Sequence, residues 1–328
     1  MEVAEAGHGT SLDEVVVTSR RDAWAVGSGE MGPTVKRWNG IGWRDVTIPA
    51  GPQAPRAVSA SSSRDVWVFG LDSGGDARVW RWNGRTWSRQ GGPARSDWWA
   101  AAVVAGAGEA WLEGAEDVAY INRWSRERWT RVALPFKVDI QALSAVSPND
   151  VWAVGDSAVL HWDGTSFRAI PLPPPYAIQP WAADGTYLRL LDVAAVSPGE
   201  VWVVGTMAKN SSAGVAFRWD GHRFTSLALP EGTAELTAVE GDGHGGFWTA
   251  GEVAEVGRER WDRDNTRLQM LHNDGRHWTQ EPIPERTGTW GHVVSDFARL
   301  PGDDRMIAVG GETAQEEDST GWIWMRSS

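Results

Sequence analysis

The chain has 328 residues, with 31 Lys and Arg against 43 Asp and Glu for a net charge of −12, and it carries 23 Trp but no Cys. An acidic chain without a basic block repels phosphate backbones, and no run approaches the ~20 apolar residues of a bilayer span, so neither nucleic acid nor membrane is an expected partner. The lack of Cys removes disulfides, thiolate catalysis and Cys-ligated zinc from consideration.

The opening segment MEVAEAGHGTSLDE has no basic stretch followed by an apolar core. A cytoplasmic protein is therefore expected from the chain as written, with secretion open if a signal has been trimmed. Residues 2–6 precede the first of a series of repeated units. Aligning the units on the Trp of a VWxxG segment gives Trp24, Trp67, Trp111, Trp152, Trp202 and Trp248, with Ile307 in the seventh place. The spacings are 43, 44, 41, 50, 46 and 59 residues, close to the ~40–50-residue period of propeller blades.

Each unit divides into four short strands. An opening segment of alternating small apolar residues reaches a polar turn, such as Ser62 to Asp65, Ser147 to Asp150 or Ser197 to Glu200, and the period-two VWxxG strand follows. A third strand ends at a turn pair, Asn39-Gly40, Asn83-Gly84, Asp163-Gly164, Asp220-Gly221 or Asp274-Gly275. These pairs tolerate positive φ and predict type I′ hairpins; the third copy has Ser125-Arg126 instead. The fourth strand starts with an aromatic: Trp43, Trp87, Trp129, Phe167, Phe224 or Trp278. The last unit stops after its third strand, at GWIWMRSS. The expectation is an all-β, seven-bladed β-propeller of four-stranded antiparallel blades, closed by a strand from Glu2 to Ala6 as the missing outer strand. The whole of residues 1–328 would then be a single domain, with blades at 12–50, 51–93, 94–135, 136–173, 174–230, 231–284 and 285–328 plus 1–8.

The VWxxG strand, the arginine-flanked aromatic, the turn, the following Trp and a closing Pro (Pro49, Pro93, Pro135, Pro173, Pro230, Pro284) together resemble the kelch-type β-propeller repeat. The likeness covers essentially the whole chain and is closest to a Trp-rich bacterial variant. The glycine pair that ends the kelch second strand is a single Gly in most copies and a pair at Gly310-Gly311. The GH and WD signatures of WD40 repeats are absent. The resemblance implies a fold and no catalytic residues, because kelch-like propellers include enzymes, glycan binders and protein scaffolds.

Sixteen of the 23 Trp sit at repeat positions and are expected to pack between blades. Of the others, Trp98, Trp99, Trp181, Trp261 and Trp290 fall in crossovers or second-to-third connections, which emerge on one face of a propeller. The long segments 173–191, 206–214, 252–267, 285–294 and 312–320 belong to the same face, and loops longer than connection requires often carry function. The expected ligand-binding set is Arg56, Trp98, Trp99, Tyr176, Trp181, Tyr187, Arg189, Glu252, Arg258, Trp261, Trp290 and His292. Inner-strand starts would add Asp13, Asp139, Gln141, Glu235 and Asp296.

Aromatic planes beside carboxylates and guanidiniums point first to a small polar, carbohydrate-like or polycyclic ligand held in a funnel. One alternative is a cofactor-independent lyase, hydrolase or cyclase in which His292 works with Asp296 or another carboxylate, and Arg189 stabilises developing negative charge. Another is a protein-interaction scaffold. Neither a cofactor nor a metal is expected: no HExxH, GxSxG or P-loop occurs, and Asp262, Asp264 and Asn265 lack the Gly and distal Glu of a calcium loop.

Overall fold

The computed structural model describes residues 2–8, 10–29, 32–49, 51–72, 74, 76–93, 101–114, 119–176, 185–208, 212–254, 266–282, 289–302, 305–314 and 319–325. These residues contain no helix and form seven four-stranded antiparallel sheets, six built from strands in consecutive order and the seventh from the last three strands with the first. They are the seven blades of a β-propeller. The outer strand of the last blade is Glu2–His8, paired with Ser319–Met325 from Glu2 opposite Met325 to His8 opposite Thr320. The expected N-terminal strand is thus present and two residues longer, and it fastens the start of the chain to its end.

The chain divides into two compact units, residues 1–133 with 285–328, and residues 134–284. The first holds blades 1–3 and 7, the second blades 4–6. Within each unit the first strands of successive blades pack against one another. They are therefore the inner strands.

The core is aromatic and repeats with the blades. Trp24, Trp67, Trp111, Trp152, Trp202 and Trp248 are all at most 2% exposed. The residue ending a third strand stands opposite the aromatic opening the fourth, as Trp38–Trp43, Trp82–Trp87, Trp124–Trp129, Trp162–Phe167 and Trp219–Phe224. Such cross-strand aromatic pairs add about 0.5–1.5 kcal/mol beyond their buried area. In several blades the pair also caps the motif Trp of the preceding blade: Trp24 lies 5.9 Å from Trp82 and 5.4 Å from Trp87, Trp67 lies 5.9 Å from Trp124, and Trp152 lies 5.4 Å from Trp219 and 6.0 Å from Phe224. Trp80 and Trp322, which fall outside the repeat positions, are buried as well.

A second repeated element stacks on the motif Trp. Arg37 lies over Trp24, Arg81 over Trp67, Arg123 over Trp111 and Arg218 over Trp202, at 4.6–5.2 Å. His161 and His272 take that place on Trp152 and Trp248, at 4.2 and 4.3 Å. A carboxylate from the first turn of the same blade holds five of the six: Asp22, Asp65 and Glu109 on the three arginines of blades 1–3, Asp150 and Asp242 on the histidines. The dipeptides Arg37-Trp38, Arg81-Trp82, Arg123-Trp124, His161-Trp162 and Arg218-Trp219 are its trace in the sequence.

Two local expectations are corrected. The turns after the third strands are four-residue loops, not two-residue type I′ turns. In Asn39 to Gly42 the Asn39 Oδ1 accepts the N–H groups of Ile41 and Gly42, both at 3.0 Å, and Gly40 has φ +94°. Asn83, Asp163, Asp220 and Asp274 act in the same way. The side-chain acceptor makes the longer loop self-supporting. Blade 3 has the two-residue turn, one position later than expected: Arg126 and Glu127 bear φ of 52° and 60°.

The motif glycine has a steric cause. In six blades the inner strand carries a β-bulge near its start, and before it a backbone carbonyl turns toward the second strand. A Cβ on Gly27, Gly155, Gly205, Gly251 or Gly310 would overlap the carbonyl oxygen of Ser11, Asp139, Arg189, Glu235 or Val293, and at Gly70 it would stand 2.7 Å from that of Ala54.

Candidate functional site

Polar side chains converge where the inner strands of blades 4–6 begin. Asp139, Arg189 and Glu235 occupy the same place in three successive blades, each with its carbonyl against the motif glycine. The inner strand of blade 5, Tyr187–Ser197, alternates from its first residue: Tyr187 and Arg189 are exposed, while Leu188 and Leu190 are buried. Period-two geometry therefore puts Tyr187 and Arg189 on one side of the strand.

Arg189 Nη2 donates to Gln141 Oε1 at 2.9 Å, and Gln141 Nε2 donates to Asp139 Oδ2 at 3.1 Å. The turn ending the second strand of blade 4 is tied to the same place, for both the N–H and the hydroxyl of Ser157 donate to the carbonyl of Leu188 at 3.0 Å. That turn carries Asp156. On the blade 6 side, Glu235 lies across from Glu252 on the second strand, Phe247–Ala254.

The charges are unequal. Burial raises the Asp156 carboxyl above its ordinary range, Asp139 raises it further and Arg189 opposes the rise. Glu235 is raised by burial and then by Glu252, again against Arg189. One guanidinium thus serves two like-charged pairs, Asp139 with Asp156 and Glu235 with Glu252. Carboxylates that repel one another in this way are stabilised by any cation that enters. Among the described residues no three His, Cys, Asp or Glu side chains are grouped so as to hold a metal ion.

Of the expected site residues, Tyr187, Arg189 and Glu252 therefore meet in this region, with Asp139, Gln141 and Glu235 from the inner-strand starts. Asp156 was missed. Its trace is the acid directly after the motif glycine, in Gly155-Asp156 as in Gly251-Glu252. Tyr176 is half-buried, with its ring edge-on to Phe217 at 5.0 Å and 82°, and so packs against the body of blade 5.

In the other unit, Arg56 is exposed at the inner-strand bulge of blade 2. Asp13, at the bulge of blade 1, is pushed up to about 6 by burial, with Arg56 opposing. Asp296 is engaged by backbone, accepting from the N–H of Val15 at 2.9 Å and of Phe297 at 2.7 Å. It ties the inner strand of blade 7 to that of blade 1. Trp98, Trp99, Trp181, Arg258 and Trp261 lie outside the described residues. Trp290 and His292 belong to the strand Thr289–Arg299, with side chains outside the described set.

No family model and no curated protein matches the chain. Solved structures do. YCF48 bound to D1 peptide is similar with a TM-score of 0.63 at 14% identity, over 98% of this chain and 96% of that one. YCF48 from Cyanidioschyzon merolae gives 0.62 at 12%, over 99% and 98%. The WD40 β-propeller domain of Doa1 gives 0.60 at 12%, over 98% and 97%. The likeness is one of fold, and it covers nearly the full length of each chain: this is a seven-bladed β-propeller with WD40-like structural neighbours.

Proposed function

We propose that the protein is an interaction propeller that binds an extended segment of a partner protein where the inner strands of blades 4–6 begin. The arrangement of charge around Arg189 carries this reading. Arg189 opposes one carboxylate of each acidic pair, so a Lys or Arg of the segment would relieve the repulsion within either pair, and a carboxylate of the segment would be received by Arg189. Tyr187, 45% exposed beside Arg189, offers an aromatic surface to the same segment. A similar propeller was solved with a peptide bound, which supports a peptide as the occupant.

The test is a binding measurement with labelled extended peptides that carry basic, acidic or alternating charge. Peptides containing a basic residue should bind more tightly, the affinity should fall with added salt, and Asp156→Asn with Glu235→Gln should weaken it at least tenfold. Equal affinity for acidic and basic peptides, or no effect of the double substitution, would refute the assignment.

A further inference from the structure

The inner strands of blades 5 and 6 are joined by a side chain that can change its protonation state. Asp192 directly follows the inner-strand bulge of blade 5, where the pairing steps from Leu190–Gly205 to Asp192–Val204. Its Oδ1 accepts the N–H of Val193 and its Oδ2 accepts the N–H of Val239, on the inner strand of blade 6, both at 2.7 Å.

Other blade pairs use the same kind of link. Glu14 accepts from Val58 N–H at 2.7 Å, while the Ser59 and Ser144 hydroxyls accept from the N–H groups of Val104 and Ala195, both at 3.0 Å. A serine hydroxyl does not titrate in the physiological range, so the fold can make the joint without a titratable acceptor. At Asp192 it has one.

We propose that Asp192 is a proton-sensitive joint between blades 5 and 6: ionised, its two oxygens clamp both N–H groups, and on taking a proton one of those acceptors is weakened. The joint lies just beyond the candidate site, since Arg189 precedes Asp192 by three residues and Glu235 precedes Val239 by four. Its state therefore bears on how the strands carrying Arg189 and Glu235 are held. The inference concerns the joint and stands whether or not that site binds a peptide.

Charged side chains on the surrounding strands and their ends are Asp139, Asp150 and Asp156 of blade 4, Arg189 and Glu200 of blade 5, and Glu235 and Glu240 of blade 6. The influences on the Asp192 carboxyl are burial, which raises its pKa, and the N–H groups of Val239 and Val193, which lower it; the outcome is about 7.

The experiment follows the Asp192 carboxyl carbon and the amides of Val193 and Val239 in the full chain by NMR between pH 5 and 9. The expected result is one shared midpoint in this range for all three signals. In Asp192→Asn the Val239 midpoint should vanish. Amide signals that stay flat across the range in the unmodified protein, or a midpoint that persists in Asp192→Asn, would overturn the proposal. The carboxyl titration needs no substitution, so a variant that fails to fold does not remove the test.

Discussion

Gly205→Ala is the sharpest test of why the repeat keeps its glycine. The new methyl group would overlap the carbonyl oxygen of Arg189 and meet Leu190 Cα at 2.9 Å and the Arg189 carbonyl carbon at 3.0 Å. All of these are backbone atoms. Leu190 is directly paired with Gly205, so neither strand can slide without breaking the ladder. Overpacking costs about 1–3 kcal/mol where side chains can give way, and a backbone obstacle places this case at the upper end, about 3 kcal/mol. For a unit the size of residues 134–284, each kcal/mol lowers Tm by about 2–4 °C, so a fall of about 6–12 °C is expected. The control is Gly199→Ala in the same blade, where an added Cβ meets nothing within 4 Å. It should be neutral, or stabilising by up to about 1 kcal/mol. Thermal unfolding followed by Trp fluorescence separates the two. Gly205→Ala within a degree of the parent, or Gly199→Ala equally harmful, would refute the steric explanation.

Removing residues 2–8 strips the last blade of its outer strand and leaves Ser319–Met325 as a bare edge; thermal unfolding should show a Tm lower by several degrees, and an unchanged value would mean that the strand is dispensable. The pair Arg126→Asn with Glu127→Gly should stabilise the chain by about 1–2 kcal/mol in urea unfolding, because residues with a Cβ now hold two left-handed positions. For pH dependence the sign follows from Asp192: its folded pKa is raised to about 7, so from about pH 4 to 7 the folded state holds a proton that the unfolded chain has lost. The Asp192 contribution to stability should therefore fall as pH rises through that window, by up to about 4 kcal/mol in all, and then level off. Asp192→Asn should flatten the curve, as read from urea midpoints across pH.

The sequence is most legible where the information is local. The strand-turn-strand pattern, the Trp at the second strand and the aromatic opening the fourth follow from short-range patterning that recurs often enough to be checked against itself, and the strand before the first unit follows from the strand that the last unit lacks. The asparagine and aspartate turns were found from composition, yet their type was not, because turn type depends on whether Oδ1 reaches the N–H groups two and three residues on. The carboxylate, Arg or His, and Trp stacks lay in plain sight as Arg-Trp and His-Trp dipeptides. Their meaning needed the third member, which comes from a turn 11 to 30 residues away.

The chain by itself determined the number of blades, their strands and the side chains that fill the space between them, because each blade encodes the same short-range alternation. Tertiary structure decided the rest. Arg189 stands 48 residues from Gln141, and no local pattern relates them; they meet because bulged inner strands of successive blades begin at the same level. The glycine of VWxxG shows both sides of this. Its presence was legible from one repeat to the next, while its reason, a carbonyl from another strand occupying the space of a Cβ, exists only once the strands are paired.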